Sequence, residues 1–262
     1  MNYALLLARQ RSGTGALGSV LDKHPQLKYL GEVFHPDNCG DNQNYFTFLR
    51  DQVAGNPDSS LPDAQYDLFL DFLRDQSAQH PGKTLVVDVK YRSLHHLDAG
   101  WRGLVERPTL LQRALGDGAP ILHLTRRNSV GSFVSGRLAE ANKVWHAHED
   151  KQIKVQSTVL NVRHLSNYII NADREVSLLK EWLAKYSYLE TFDYDEMFDS
   201  DGLIAEDIAS RVAAVLGIAP FGDRAPSFIK QAPARVEDSI ENFSLVKRAL
   251  IGTEFGWMLG KK

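Results

Sequence analysis

Leu6-Leu7-Ala8-Arg9-Gln10-Arg11-Ser12-Gly13-Thr14-Gly15-Ala16-Leu17 is the stretch that decides the fold of this chain. Its first residues are apolar and predict a short strand, Gly13 and Gly15 allow a tight turn, and residues 16–21 are apolar at helical spacing. The turn therefore brings backbone N–H groups and a helix N-terminus to one point, where an anion is favoured. A guanidinium and two hydroxyls are also available there, from Arg11, Ser12 and Thr14.

The same turn differs from the phosphate loop of nucleoside triphosphatases. That loop needs a Gly, four residues and then Gly-Lys followed by Ser or Thr, so that the lysine reaches the outer phosphates. The stretch 6–17 contains no lysine. The missing lysine disfavours a nucleotide-dependent kinase, which is kept as an alternative together with a non-catalytic nucleotide-binding module.

A second functional position follows the next predicted strand. Residues 27–30 are consistent with a short strand, and Gly31 and Glu32 come directly after it. Ligands of parallel α/β sheets bind beyond the carboxyl ends of the strands, so we expect Glu32 to face the same crevice as the first turn. A carboxylate in that place can accept a proton from a bound hydroxyl.

A third polar strand end lies near the middle of the chain. Residues 121–125 predict a strand, Arg126 and Arg127 its exit, and residues 130–141 a helix that contains Ser135. An arginine at a strand exit and a hydroxyl two turns into the next helix can converge on one phosphate, because arginine offers a bidentate fork.

These motifs together resemble a known enzyme family. The turn 11–15, a helix, His24-Pro25 and Gly31-Glu32 follow one another as at the start of sulfotransferases that use 3′-phosphoadenosine 5′-phosphosulfate, above all the tyrosylprotein, Nod-factor and trehalose types. Arg127 and Ser135, eight positions apart, are similar to the family's second signature, although Asn follows Arg127 where the family has Asp.

The resemblance implies a P-loop-like three-layer α/β fold, with a central, mostly parallel sheet flanked by helices. It also implies sulfuryl transfer without a metal, with 3′-phosphoadenosine 5′-phosphate as the product, Glu32 as the general base and Arg11 as a catalytic cation. The implied donor contacts are Arg11, Ser12, Gly13, Thr14, Gly15 and Ala16 for the 5′-phosphosulfate, Arg127 and Ser135 for the 3′-phosphate, and Lys230 and Arg235 in a covering loop at 219–238.

Other positions are candidates for acceptor binding. Lys90 follows a predicted strand at 85–89 and can meet the sulfuryl group or the acceptor, and His95 is a reserve candidate for the base. Trp145 lies in the polar segment 143–164, which together with a predicted polar loop at 36–62 is expected to line the acceptor pocket. The sequence His146-Ala147-His148-Glu149 has the residue types of a metal site but not the spacing of His-Glu-x-x-His.

Composition limits the remaining choices. The 262 residues are 43% hydrophobic, which allows one domain over residues 1–262, and a net charge of −3 argues against general nucleic-acid binding. Cys39 is the only cysteine, and no apolar run is long enough to span a bilayer, so we expect a cytoplasmic protein for which peripheral membrane contact stays open. The sequence favours a carbohydrate or glycolipid acceptor by resemblance, leaves a small alcohol or a peptide tyrosine open, and does not indicate the oligomeric state.

Overall fold

The fold is known from a computed structural model, which describes residues 1–98, 106–144, 154–227 and 235–260. Five parallel strands form one sheet in the order β2-β3-β1-β4-β5. The strands are β1 (Tyr3–Ala8), β2 (Leu27–Gly31), β3 (Thr84–Lys90), β4 (Ile121–Thr125) and β5 (Leu189–Asp193). The helices are α1 (Thr14–Lys23), α2 (Tyr45–Gly55), α3 (Gln65–Gln79), α4 (Thr109–Gly116), α5 (Ser129–Asn142), α6 (Val162–Leu183), α7 (Glu206–Leu216) and α8 (Phe243–Leu250).

Helices cover both faces of the sheet, and the alternation of side chains along β1 makes this visible. Leu5 and Leu7 point to a core formed with α3, α4 and the end of α6. Leu6 and Ala8 point to the opposite core, formed with α1 and α7. All six residues of β1 are buried, as expected for a strand between two layers of helices. The predicted three-layer α/β fold is confirmed.

The pairing of β1 with its two neighbours aligns three strand ends. Ala8, the last residue of β1, lies opposite Lys90 of β3 and Leu124 of β4. The segments that follow these strands begin at Arg9, Tyr91 and Arg126 and therefore leave the sheet within one residue of the same level. Ligand sites of open α/β sheets lie at this carboxyl edge.

The segment 36–62 differs from its prediction as a polar loop, because it contains the helix α2. The Asn44 side chain accepts hydrogen bonds from the backbone N–H of Phe46, at 2.9 Å, and of Thr47, at 3.2 Å. The first helical residue, Tyr45, is fully buried against the aromatic core. Pro, Gly and Asn at both ends of the segment are typical of loops, but here they form the caps and short turns that flank the helix.

Other boundaries agree closely with the sequence. Gly217 closes α7 with φ of +64°, the left-handed conformation expected of a glycine after a helix. The helix α6 begins at Val162, where the Asn161 side chain caps it by accepting from the backbone N–H of His164. No helix in the described part of the chain is long and apolar enough to cross a bilayer.

Replacing the cap of α2 tests the corrected assignment. Asn44 is buried and also donates to the carbonyl of His35 at 2.8 Å, so Asn44→Ala removes a cap and one of the two hydrogen bonds to that carbonyl, the other coming from the backbone N–H of Asn38. We expect a loss of about 2 kcal/mol in the free energy of unfolding, measured by urea denaturation. Asn161→Ala, which removes the exposed cap of α6, is the matched control and should cost about 1 kcal/mol. Equal losses for both variants would contradict the buried role of Asn44.

Candidate functional site

The turn between β1 and α1 has the backbone of an anion-binding loop. Gly13 precedes α1 with φ of +92°, and no acidic residue occupies the first turn of the helix. A Cβ atom at Gly13 would lie 2.4 Å from Cδ2 of Tyr194, so only glycine fits there without displacing the ring. The first N–H groups of a helix have no partner within the helix, so residues 14–16 offer donors at this point. Gly15 and Ala16 lie here, and Ser12 is buried beneath.

Arg11 occupies a second unusual backbone position in the same turn. Its φ is +64°, a conformation that costs a non-glycine residue about 1–2 kcal/mol. The guanidinium donates through Nε and Nη2 to Oγ of Ser135, at 3.2 and 3.0 Å. The structure thus brings together two of the predicted donor-binding residues, one from the first turn and one from α5.

Arg126 is a second cation of this turn that the sequence pattern did not single out. Its Nη1 donates to the carbonyl of Arg11 at 2.8 Å, and its guanidinium lies 4.3 Å from the ring centre of Tyr194. Burial and the nearby Arg126 charge lower the pKa of Arg11. Nε of Arg126 is buried and has no hydrogen-bond partner among the described residues. Two guanidinium groups therefore lie close together around the start of α1, which favours an anion.

Lys90 is the centre of a second cluster, on the α1 side of β3. Its ammonium lies 2.7 Å from both carboxylate oxygens of Asp88, donates to Oγ1 of Thr14, and lies 3.4 Å from Oε1 of Glu32. The Lys90 and Asp88 side chains are only 2% and 1% exposed. Tyr29 of β2 completes the cluster by donating from its hydroxyl to Asp88 at 2.8 Å.

Glu32 is the member of this cluster that reaches solvent, with 29% of its side chain exposed. Burial raises the pKa of its carboxyl, Lys90 opposes this rise and Asp88 adds to it. A partly exposed carboxylate with a raised pKa is suited to accept a proton from a bound group. The expected neighbourhood of Glu32 and the first turn is present, since Thr14 and Glu32 both contact the Lys90 ammonium.

The side chains of Arg127 and Ser135 have different partners in this structure. Its side chain is 59% exposed and donates to Glu196 at 2.7 Å, while its Nε lies 3.5 Å from Asp193. Asp193 also accepts from the backbone N–H of Arg127 at 2.9 Å, which fixes the start of the exit. The joint binding of one phosphate by Arg127 and Ser135 stays a prediction, because the Ser135 hydroxyl here contacts Arg11.

The remaining candidates are spread more widely. His95 is largely exposed, and its Nδ1 lies 2.6 Å from Asp98, a partner three residues along the chain. Arg235 forms an ion pair with Glu237. Lys230, Trp145 and the possible metal ligands at 146–149 lie outside the described residues. In the described ranges no group of three or more His, Cys, Asp or Glu side chains could hold a metal.

Side chains of helix α6 contact Arg9, at the start of the first turn, and helix α5 beside it. Arg9 donates to Glu175 at 2.6 Å and lies 4.4 Å from the ring centre of Tyr168. The Tyr168 hydroxyl shares a hydrogen bond of 2.9 Å with Ser132 of α5. The backbone of the turn is therefore held between α5 and α6 before any ligand binds.

Asp88 and Tyr29 were missed, and the sequence carries a signal for Asp88 alone. Asp88 interrupts the otherwise apolar run from Leu85 to Val89, and a charge inside a buried strand needs a partner. The sequence alone did not identify that partner, because Tyr29 is 59 residues away.

Comparisons with known proteins were made at the levels of sequence and structure. No protein-family model and no curated protein sequence matches this chain. The sulfotransferase domain from the curacin biosynthetic pathway is similar in structure, with a TM-score of 0.45 and 13% identity over 84% of this chain and 75% of that domain. The sulfotransferase domain from the Synechococcus PCC 7002 olefin synthase has a TM-score of 0.43 and 13% identity over 83% and 74%. At TM-scores below 0.5, neither likeness bears on the function of this chain.

Substitution of Gly13 tests how tightly the turn is packed. Gly13→Ala places a methyl group against the Tyr194 ring in a left-handed conformation, whereas the same change at Gly217 meets open space. We expect Gly217→Ala to lower the free energy of unfolding by about 1 kcal/mol and Gly13→Ala by about 1–3 kcal/mol more. Urea unfolding of the two variants measures the difference, and equal losses would show that Tyr194 does not close the turn.

Proposed function

We propose that this protein is a sulfotransferase that moves the sulfuryl group of 3′-phosphoadenosine 5′-phosphosulfate to an acceptor hydroxyl. The observation that carries the proposal is the position of Glu32, a partly exposed carboxylate 3.4 Å from a buried lysine that also contacts the anion-binding turn. A base and a cation are thus adjacent at the edge where the donor and acceptor would meet.

The described residues fit a donor of this kind. The N–H groups of residues 14–16, which as the first of a helix have no partner within it, and the buried Nε of Arg126 both favour a phosphate or sulfate group. Arg11 and the turn amides would stabilise the negative charge that grows on the bridging oxygen of the donor. When bound, the donor supplies an activated sulfuryl group.

Glu32 accounts for the proton in this reaction. The acceptor oxygen forms a bond to sulfur, the bond between sulfur and the 5′-phosphate oxygen breaks, and the proton of the acceptor hydroxyl passes to Glu32. The electron pair of the broken bond leaves with 3′-phosphoadenosine 5′-phosphate, so no oxidant and no metal is needed in this scheme. Lys90 contributes a fixed positive charge beside the reacting groups.

The 3′-phosphate is assigned to Arg127 and Ser135, with Lys230 and Arg235 as further contacts. Arg127 would exchange its exposed ion pair with Glu196 for the phosphate, and such exposed pairs are weak. We further propose that the acceptor is a carbohydrate or glycolipid, and the acceptor-lining role of 36–62 and 143–164 stays a prediction, as does a cytoplasmic location.

Binding of the donor product separates this function from a kinase. At 100 times its dissociation constant, 3′-phosphoadenosine 5′-phosphate should stabilise the protein by about 2.7 kcal/mol, measured as a raised Tm. We expect no such shift with 5′-AMP, which lacks the 3′-phosphate, or with ATP and Mg²⁺. Stabilisation by ATP and Mg²⁺ alone would overturn the proposal in favour of a nucleotide-dependent kinase.

Two arginine variants serve as controls for the same measurement. Arg127→Ala should reduce the shift caused by the bisphosphate and leave any weak effect of 5′-AMP unchanged. Arg137→Ala removes an exposed arginine of α5 that pairs with Glu140, and it should bind like the unchanged protein.

Substitution of Glu32 tests the base. Glu32→Gln keeps the shape of the side chain but cannot accept a proton, so kcat should fall about 10²- to 10⁴-fold while the Kd for 3′-phosphoadenosine 5′-phosphate stays unchanged. The readout is turnover of labelled donor with an acceptor found by screening. Glu140→Gln, on an exposed face of α5, should retain full activity. Near-normal turnover by Glu32→Gln would remove the assignment and make His95 the next candidate.

A further inference from the structure

Asp88 is a buried carboxylate that the proposed reaction does not use directly. It lies on β3 two residues before Lys90, so both side chains point to the same face of the sheet, towards α1. Tyr29 donates to one oxygen of Asp88 at 2.8 Å, and the Lys90 ammonium lies 2.7 Å from both oxygens. Three side chains from two strands therefore form one polar unit, which contacts Thr14 of the first turn and the partly exposed Glu32 through Lys90.

Stability does not account for this unit. A buried ion pair is often no more stabilising than apolar side chains of similar size, because both charges lose their water. The surroundings are apolar, with Val86 and Leu6 on the same face of the sheet. An apolar pair at 88 and 90 would suit the layer between the sheet and α1 equally well.

We propose that Asp88 is a positioning residue for the base: it holds the Lys90 ammonium in place and shares its charge, so that Glu32 stays basic enough to accept a proton. The role given to Asp88 rests on the proposed function, whereas its contacts with Lys90 and Tyr29 do not depend on that function. The Lys90 ammonium lies closer to both oxygens of Asp88 than to Glu32, which is 3.4 Å away, so it interacts more strongly with Asp88. The Glu32 carboxylate therefore stays available to accept a proton. Tyr29 acts one step further away, by orienting Asp88.

The Tyr29 ring is itself fixed in place. A Cβ atom at Gly18 of α1 would lie 2.3 Å from the ring, so the glycine allows the ring to lie directly on the helix backbone. The hydroxyl is thereby aimed at Asp88 by packing. The segment from Thr14 to Gly18 therefore contributes to two features: Thr14 begins the helix at the anion-binding turn, and Gly18 makes room for the Tyr29 ring that orients Asp88.

The electrostatic consequence for Glu32 has a definite sign. Removing the Asp88 charge frees Lys90 to pair with Glu32 and removes a repulsion, so the pKa of Glu32 should fall. Removing the Tyr29 hydroxyl takes one hydrogen-bond donor from the Asp88 carboxylate, which then interacts more strongly with Lys90, so the pKa of Glu32 should rise. The charged and titratable groups that act on Glu32 are Lys90 and Asp88 of β3, Tyr29 of β2, Arg11 of the first turn and His35 just beyond Glu32.

The test is a direct titration of Glu32 that does not depend on turnover. The protein is labelled with glutamate carrying ¹³C at the side-chain carboxyl, the Glu32 signal is assigned by its loss in Glu32→Gln, and its chemical shift is followed against pH. Asp88→Asn should lower the Glu32 pKa by about one unit, and Tyr29→Phe should raise it. Tyr186→Phe removes a partly buried hydroxyl that donates to the Ala119 carbonyl at 2.7 Å, on the other face of the sheet, and should leave the Glu32 pKa unchanged.

Opposite shifts in the two variants support the inference, and an unchanged Glu32 titration in both overturns it. Tyr29→Phe keeps the ring and so decides the question even where Asp88→Asn does not fold. With an acceptor in hand, Asp88→Asn should lower kcat a few-fold and move the acid limb of kcat/KM to lower pH, with the donor Kd unchanged. If the Glu32 pKa shifts as expected but the protein transfers no sulfuryl group, the effect of Asp88 on Glu32 is supported and only the proposed function is overturned.

Discussion

The parallel pairing of β1 with β3 on one side and with β4 on the other is the constraint on which the site depends. Hydrogen bonding sets the register, and this register brings Ala8, Lys90 and Leu124 to one level. Three cations of the site follow from that level: Arg11 lies three residues past the end of β1, Lys90 ends β3, and Arg126 follows β4. A slip of one residue in β3 would turn Lys90 to the other face and remove it from Thr14 and Glu32.

The charges of this edge are arranged in two groups of different character. Around the start of α1, Arg126 lies close enough to lower the pKa of Arg11, so an anion relieves a repulsion that already exists. Around Lys90 the positive charge is already balanced, by Asp88 and in part by Glu32. The first group is suited to bind a charged ligand, and the second is suited to control a proton next to it. Thr14 belongs to both, because it begins α1 and accepts from Lys90.

Local patterns in the sequence predicted the strands, the first turn and the neighbourhood of Glu32, since each depends on residues close together along the chain. The pattern could not tell which of two adjacent arginines points inward. Arg127 matches the spacing to Ser135, yet Arg126 lies against the first turn, because Asp193 on β5 holds the Arg127 backbone and side chain outward. The helix α2 was missed for a similar reason, since the burial that stabilises it comes from contacts of Tyr45 with Phe34, Phe69 and Phe72. Contacts between distant segments decide such cases.

The contacts around the first turn explain how the backbone of Arg11 can be held in a strained conformation. A left-handed arginine costs free energy that surrounding contacts must offset, and the turn receives such contacts from three directions. Arg126 donates to the Arg11 carbonyl, Ser135 accepts from its guanidinium, and the Tyr168–Ser132 hydrogen bond ties α6 to α5 beside it. Donors that are already aimed before a ligand arrives need no reorganisation during reaction, which is the condition under which electrostatic stabilisation is strongest. The strain at Arg11 and the rigidity of the turn therefore have one source, because the contacts that hold the unusual backbone also fix the guanidinium against Ser135, beside the start of α1.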